Sequence, residues 1–218
     1  MIGAIAIVGG TGAEGFGLAL RFARAGLRVI IGSRDAQKAE AAAARIGGEA
    51  AGRLNPAAAA EADVVILTVP LAAQIATLKS IRASFRPGAI LVDATVPLEV
   101  VIGGRVSRTV ALWAGSAAQQ AEQNVPEGVA VVAAFHSLSA ELLGQLDHAV
   151  DSDVLICGDS ADAKAAVQEL VALIPGARAI DAGPLENARY LENLAALLIS
   201  LNIRHKVKHS GIRITGLP

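Results

Sequence analysis

The chain has 218 residues, of which 53% are hydrophobic and 18% charged, and this is enough to bury the core of one domain or of one domain with a small appendage. Its formal net charge of -1 excludes a strong positive field that would attract nucleic acid or an anionic membrane. A single cysteine, Cys157, excludes an internal disulfide, and no Cys/His cluster has the spacing of a metal site. We therefore expect a cytoplasmic protein without a signal peptide or membrane span, whose partners are small molecules or a second copy of itself.

Short apolar runs alternate with alanine-rich helical stretches along the chain. The predicted strands occupy residues 4–8, 28–31, 64–69, 89–94, 129–135, 153–157 and 178–181. The predicted helices occupy residues 14–25, 36–45, 72–82, 116–124 and 161–173, and a longer one runs from about residue 185 to about residue 204. Because several strands are apolar at consecutive positions, the pattern predicts a parallel sheet that is covered on both faces, in an α/β, Rossmann-type doubly wound fold.

One segment interrupts this alternation. Residues 97–110 read as a loop that contains Gly103-Gly104, Arg105 and Arg108. We place a boundary after it, which predicts a first domain in residues 1–115 and a small C-terminal α/β lobe in residues 116–218.

A glycine motif follows the first predicted strand. The run Gly10-Thr11-Gly12-Ala13-Glu14-Gly15 fits G-x-G-x-x-G between a strand and a helix. Gly10 permits the tight turn, Gly12 lets the backbone approach a pyrophosphate, and Gly15 lets the helix pack closely on the strand. The free N–H groups at the start of the helix favour phosphates, so the motif predicts that the first domain binds a dinucleotide.

The end of the second predicted strand indicates which dinucleotide binds. An NAD site usually carries an acid about 20 residues after the glycines, where it accepts hydrogen bonds from ribose hydroxyls. This chain instead has Gly32, Ser33 and Arg34, and Lys38 follows one helical turn later. A hydroxyl donor and two cations suit a 2′-phosphate, which a carboxylate would repel. The predicted ligand is therefore NADP(H).

A series of motifs extends over nearly the whole chain. The runs "GGTG", "GSRDAQKA", "LTVP", "TVP", "FHSL", "ICGD" and "DAGPLENARYLENL" occur in this order. With them the sequence resembles the NADPH-dependent coenzyme F420 reductases, also called F420H2:NADP oxidoreductases. The resemblance implies hydride transfer between NADP(H) and the deazaflavin F420. It also implies a homodimer in which the small C-terminal lobe completes the F420 cleft and the dimer contact.

The same resemblance assigns roles to individual residues. It implies that the pyrophosphate is contacted by Thr11, Gly12, Ala13 and Glu14, and the 2′-phosphate by Ser33, Arg34 and Lys38. It implies that the nicotinamide half lies near Val69, Ala73 and Val96. It further implies that a loop bordering both the nicotinamide and the F420 ring is formed by His136, Ser137, Leu138 and Ala140. The loop departs from the family pattern at Ser139, where the family usually has proline.

The residue types agree with a transfer between two cofactor rings. Reduction of a carbonyl or imine needs a positioned acid, but the chain has one tyrosine, Tyr190, and no Tyr-x-x-x-Lys pair. Transfer between nicotinamide and deazaflavin needs mainly orientation and exclusion of water, which an apolar lining of Val69, Val96 and Leu138 would provide. Two alternatives stay open: an NADP-dependent reductase of a flavin, quinone or imine, and a non-catalytic NADP-binding sensor.

Other polar and reactive residues have more than one interpretation. His136 either bonds a backbone carbonyl or acts beside the deazaflavin ring. We expect Asp93 to stabilise a turn or a helix cap and Cys157 to be a buried structural thiol. The basic residues of segment 204–213, or Arg105 and Arg108, either bind the anionic tail of F420 or offset charge at the end of the last helix.

Overall fold

The computed structural model describes residues 2–217, which form one continuous sheet of eight strands with helices on both faces. The strands are β1 (Ala4–Val8), β2 (Arg28–Ser33), β3 (Ala51–Leu54), β4 (Val64–Leu67), β5 (Ile90–Asp93), β6 (Ala130–Ala133), β7 (Ser152–Gly158) and β8 (Ala177–Asp181). The helices are α1 (Ala13–Arg24), α2 (Ala36–Ile46), α3 (Asn55–Ala60), α4 (Leu71–Ile81), α5 (Ala117–Glu122), α6 (Ala140–Gly144), α7 (Ala161–Ala172) and α8 (Ala188–His205). Short 3-10 turns occupy Arg82–Ser84, Glu99–Ile102 and Leu185–Asn187.

The strand order is β3-β2-β1-β4-β5-β6-β7-β8, and β1 lies beside both β2 and β4. Val8, the last residue of β1, is in register with Gly32 on one side and Leu67 on the other. The chain order therefore reverses at β1, which creates a crevice at the carboxyl ends of β1 and β4 where open α/β sheets bind ligands. The predicted α/β Rossmann-type class is confirmed.

The sheet is mostly parallel, as predicted, but the parallel arrangement fails at one pair of strands, β6 and β7. β7 runs antiparallel to β6, with Ala133 in register with Cys157, and β8 is parallel to β7. For β7 to run parallel to β6, the connection would have to carry the chain back to the end of the sheet at which β6 begins. Residues 134–151 hold only the five-residue α6 and stay beyond the carboxyl end of β6, so the chain re-enters the sheet in the opposite direction.

Three elements escaped prediction: β3, α3 and α6. β3 is an edge strand of sequence AGRL in which only Gly52 is buried, so it carries no apolar run. Its glycine is required because an added Cβ would collide with the backbone of Ala39 and Glu40 in α2.

The sheet does not stop at the predicted domain boundary. Since β6 pairs with β5 along its whole length, the sheet continues across residue 115. The division into residues 1–115 and 116–218 stays a prediction.

Two apolar layers enclose the sheet. One packs α1, α2 and α7 against one face through residues such as Leu18, Phe22 and Val167. The other packs α3, α4, α5 and α8 against the opposite face through residues such as Leu78 and Leu191. No helix among residues 2–217 combines the length and the apolar character that crossing a bilayer requires. Both layers are cores of a folded domain, and they leave the carboxyl edge of the sheet open.

Candidate active site

The glycine turn connects β1 to α1 at this open edge. Gly9 has a φ of 85°, and the Gly12 N–H donates to the Gly9 carbonyl at 2.9 Å. An added Cβ at Gly10 would lie 2.7 Å from the Ile7 carbonyl oxygen, and one at Gly15 would collide with the Thr68 hydroxyl. Gly12 is the N-cap of α1 and has no side chain with which to cap it, so the first N–H groups of the helix stay available to an anion.

A cleft of about 370 Å³, here called the nucleotide cleft, lies in front of this turn. Seven predicted residues line it together: Thr11, Gly12, Ser33, Arg34, Lys38, Val69 and Ala73. Gly10, Ala13 and Gly15 shape the turn and the helix start without lining the cleft. Residues that the sequence reasoning did not select also line it: Gly9, Asp35, Asn55, Thr68, Pro70 and Thr77.

The cations of the nucleotide cleft stand at the start of α2. Arg34 is exposed, and no ion pair joins it to a carboxylate anywhere in residues 2–217. Asp35 is the N-cap of α2 and accepts the Lys38 N–H at 3.2 Å, while its carboxylate lies 4.0 Å from Lys38 Nζ. The Ser33 hydroxyl accepts the Asp35 N–H at 3.2 Å. Asp35, the carboxylate that the described residues place beside these two cations, is thus engaged by the start of α2, which leaves both cations available to an anion.

Asn55 is the most informative residue that the sequence reasoning missed. It is the first residue of α3, is 5% exposed, and its Oδ1 has no hydrogen-bond partner among the described residues. An added Cβ at Gly32 would lie 3.0 Å from this oxygen, so the glycine makes room for the amide. A buried polar atom without a partner is rare, and one in the wall of a cleft fits a ligand that supplies hydroxyl or amino groups. The ribose and adenine of NADP(H) have both.

A second cleft of about 550 Å³, here called the apolar cleft, opens beside the first. The two share Thr68, Val69 and Pro70 in the loop between β4 and α4. The apolar cleft also contains the remaining predicted residues: Glu14, Val96, His136, Ser137, Leu138 and Ala140. Most of its other walls are aliphatic, from Leu71, Leu98, Val100, Val101, Ala195, Leu198 and Ile199. Two binding spaces, one polar with cations and one apolar, therefore adjoin at a single strand end.

Ser139 ties the loop after β6 to the C-terminal segment. Its hydroxyl oxygen accepts the Leu142 N–H at 3.3 Å, which caps α6, and its hydroxyl donates to the Lys208 carbonyl at 2.9 Å. Ser210 donates its N–H to Asn202 Oδ1 at 3.0 Å. Ser139 is therefore a cap of α6 and a cross-link between two walls of the apolar cleft.

His136 is 8% exposed, and neither ring nitrogen has a hydrogen-bond partner in the part of the chain that the structure describes. Both interpretations of His136 stay open, because the Thr95 backbone still acts on the ring as a hydrogen-bond partner would. Burial lowers the pKa of His136 to about 4, while the Thr95 backbone acts in the opposite direction. The ring is therefore neutral at pH 7, with one donor and one acceptor nitrogen beside the apolar cleft.

A buried carboxyl lies behind the same cleft. Asp93 ends β5, is fully buried, and accepts from the Thr95 hydroxyl at 2.8 Å and from Gln74 Nε2 at 3.1 Å. It stabilises the turn after β5, as expected, and also anchors α4 through Gln74. Burial raises the pKa of Asp93 to about 7, although both hydrogen bonds act in the opposite direction. Burial, with Asp93 nearby, also raises the pKa values of Glu14 and Glu192.

Asp93→Asn is expected to flatten the pH dependence of the free energy of unfolding between pH 4 and pH 7. The carboxyl ionises near pH 4 in the unfolded chain but holds its proton up to about pH 7 in the folded one. The unfolded state binds fewer protons in this window, so wild-type stability falls as pH rises, by at most about 1.4 kcal/mol per pH unit from this group. Urea titrations at pH 5, 6 and 7 measure the slope. The exposed Asp162→Asn serves as control, and an unchanged slope in Asp93→Asn would contradict the assignment.

Cys157 lies in β7 and is buried, as expected for a structural thiol. Burial raises its pKa to about 12, so the reactive thiolate is scarce at neutral pH. It contributes packing to the apolar layer and no chemistry to the clefts.

Comparison with known proteins identifies relatives along the full chain. The family described as "NADP oxidoreductase coenzyme F420-dependent" matches residues 4–97. The F420-dependent NADP reductase of Methanothermobacter thermautotrophicus is 52% identical, covering 100% of this chain and 97% of its own, and that of Methanothermobacter marburgensis is 48% identical, covering 98% and 99%. The crystal structure of a candidate F420-dependent NADP-reductase from an Arthrobacter species superposes with a TM-score of 0.84 at 26% identity, covering 99% of this chain and 100% of that one.

The relatives agree with the family that the sequence motifs indicated. The match at 52% identity covers the whole chain, so the aligned region includes the segments that form both clefts. The chain belongs to the F420-dependent NADP reductase family.

Proposed function

We propose that this protein transfers a hydride directly between the nicotinamide of NADP(H), held in the nucleotide cleft, and the deazaflavin ring of F420, held in the apolar cleft. Family membership makes the chain an oxidoreductase that uses NADP(H) and F420. The observation that carries the proposal is that a cation-bearing cleft and an apolar cleft share one wall, formed by Thr68, Val69 and Pro70. Such an arrangement can bring two flat rings into contact.

The two ring systems supply the hydride donor and acceptor, and NADPH, F420 and one proton are converted to NADP⁺ and F420H2. The protein contributes binding, orientation and exclusion of water. Val69, Val96 and Leu138 provide the apolar contact around the rings. His136 is neutral at pH 7, so its role is to hydrogen-bond a polar ring edge and not to act as a strong acid.

The remaining residue roles belong to the same proposal. Thr11 and Gly12, which line the nucleotide cleft, would hold the pyrophosphate together with the backbone of Ala13 and Glu14 at the start of α1. Ser33, Arg34 and Lys38 would hold the 2′-phosphate. Ala73, Ser137 and Ala140 would complete the walls around the nicotinamide and the deazaflavin. Val96 and Val100 come from residues 1–115 and Leu138 and Leu198 from residues 116–218, so both predicted domains would build the F420 cleft.

A homodimer in the cytoplasm also belongs to this proposal. Large apolar side chains are exposed along α8 and along the loop between β5 and α5, namely Val100, Ile102, Val106, Trp113, Tyr190, Leu197, Leu201 and Ile203. The loop and the helix adjoin, since the Thr109 hydroxyl bonds Asn193 Oδ1 at 2.5 Å. An exposed apolar surface of this extent is typical of a subunit interface. Light scattering after gel filtration would report a dimer mass, whereas a monomer would contradict this part of the proposal.

The deazaflavin absorbance tests the activity. When the protein is mixed with NADPH and oxidised F420, we expect the deazaflavin absorbance to bleach at the rate at which NADPH is consumed. Tight NADPH binding without bleaching would favour the NADP-binding sensor. NADPH consumption with a flavin, quinone or imine, but not with F420, would favour a reductase of another acceptor.

A further inference from the structure

One lysine stands at the mouth of the apolar cleft. Lys208 follows the C-terminus of α8, lines the cleft, and its side chain is 80% exposed. Its Nζ lies 3.6 Å from the carboxylate of Glu141, in α6 on the opposite lip of the same cleft. An exposed ion pair at this distance is weak, so the lysine can exchange this partner for another anion.

The backbone position of Lys208 is fixed, although its side chain is exposed. Its carbonyl accepts the Ser139 hydroxyl at 2.9 Å, and two residues later Ser210 bonds Asn202 and the Leu198 carbonyl. Farther on, the Asp153 N–H donates to the Ile212 carbonyl at 2.7 Å. The backbone on both sides of Lys208 is thus held against the body of the protein, and a ligand binding there would not have to order the segment.

When a ligand places a ring in the apolar cleft and its other end is anionic, the anionic end should lie at the mouth of the cleft, near a cation. Burying a carboxylate or phosphate among aliphatic side chains is costly, so these groups stay at the solvent boundary. F420 has this form, with a phosphate and a glutamate tail attached to the deazaflavin. We infer that Lys208 is the docking residue for the anionic tail of F420, and that Glu141 opposes tail binding by pairing with Lys208. The inference rests on the proposed function.

The other cations considered for this role are placed elsewhere. Arg108 lines a separate surface depression beside Asn193 and Leu197. Arg213 is occupied by Asp151 and Asp153, with contacts of 2.5 and 2.8 Å. Arg105, Arg204 and Lys206 do not line the apolar cleft. Among the described residues, Lys208 is the lysine or arginine that lines this cleft.

The inference is tested by titrating the full-length protein with two deazaflavins in the absence of NADPH and measuring each Kd from the deazaflavin fluorescence. One is F420, and the other is its 8-hydroxy-5-deazariboflavin core, which lacks the phosphate and the glutamates. Lys208→Gln is expected to raise the Kd of F420 about fivefold at low salt and that of the core less than about twofold. Glu141→Gln is expected to lower the Kd of F420 about twofold to threefold, because it frees Lys208 and removes a negative charge. Arg204→Gln, an equal charge change on the exposed last turn of α8, is the control and should change neither Kd.

The outcomes separate this inference from the proposed function. If Lys208→Gln weakens F420 and the core equally, or if both lip variants shift the F420 Kd in the same direction, tail docking at Lys208 is overturned. If Lys208→Gln leaves the Kd of F420 unchanged, tail docking at Lys208 is also overturned. The proposed function still stands in that case, provided that the wild-type protein reduces F420 with NADPH. If the wild type binds and reduces neither deazaflavin, both proposals fail.

Discussion

Replacing Arg34 with alanine is expected to weaken NADPH binding roughly tenfold to a hundredfold while NADH binding changes less than about twofold. Arg34 is exposed in the nucleotide cleft and has no ion pair among the described residues, so its guanidinium is available to the 2′-phosphate. A hydrogen bond to a charged group contributes about 1.5 to 3 kcal/mol, and each 1.4 kcal/mol is about tenfold in affinity. NADH has no 2′-phosphate and cannot use this contact. Fluorescence titration of both nucleotides measures the two Kd values.

Two variants complete the Arg34 experiment. Lys38→Ala should weaken NADPH by a smaller factor, because Lys38 already has the Asp35 carboxylate at 4.0 Å. Arg82→Ala removes an exposed arginine that follows α4, outside both clefts, and should leave both nucleotides unaffected. An equal loss of NADPH and NADH affinity in Arg34→Ala would show that the residue supports the fold of the cleft and does not select the 2′-phosphate.

The sequence could predict the nucleotide cleft because its determinants are local. Gly10, Gly12 and Gly15 lie within one turn and one helix start, and Ser33, Arg34 and Lys38 lie within the next strand end and helix. Parallel strands that end at a common edge bring these two short segments together without any further information. For the same reason β1, whose residues are all buried, was predicted with its observed bounds.

The features that escaped prediction depend on contacts between distant segments. An apolar run has the same appearance in either strand direction, so the reversal at β7 is visible only in the pairing of Ala133 with Cys157. Asn55 follows an edge strand without an apolar pattern, and only Gly32, 23 positions earlier, hints that an amide fills the space. In the sequence, Lys208 does not differ from the other cations of the C-terminal segment. Its position at the cleft depends on the hydrogen bond from Ser139, a residue 69 positions earlier.

Arg21→Met is expected to lower the free energy of unfolding by about 3 kcal/mol and to weaken F420 binding more than NADPH binding. Arg21 lies in α1, is 3% exposed, and donates to four carbonyl oxygens at the end of α6 and beyond. These are Leu142 at 2.6 Å, Leu143 at 3.0 Å, Gln145 at 2.7 Å and His148 at 2.8 Å. The guanidinium therefore satisfies carbonyl groups at the C-terminal end of α6. The sequence gave no reason to expect this role, because Arg21 reads as one of several solvent-exposed arginines on a helix.

The Arg21 contact joins the helix that begins the nucleotide cleft to the loop that borders the apolar cleft. One turn before Arg21, an added Cβ at Gly17 would lie 2.6 Å from Leu143 Cβ, so α1 and α6 pack at backbone distance. The nucleotide cleft takes no residue from α6, whereas Ala140 and Glu141 line the apolar cleft. Losing the arginine should therefore loosen the F420 side first. Urea titration and the two Kd values test this, with Arg24→Met, an exposed arginine of the same helix, as control; equal losses for both ligands would mean that Arg21 stabilises the whole fold and does not position the α6 loop.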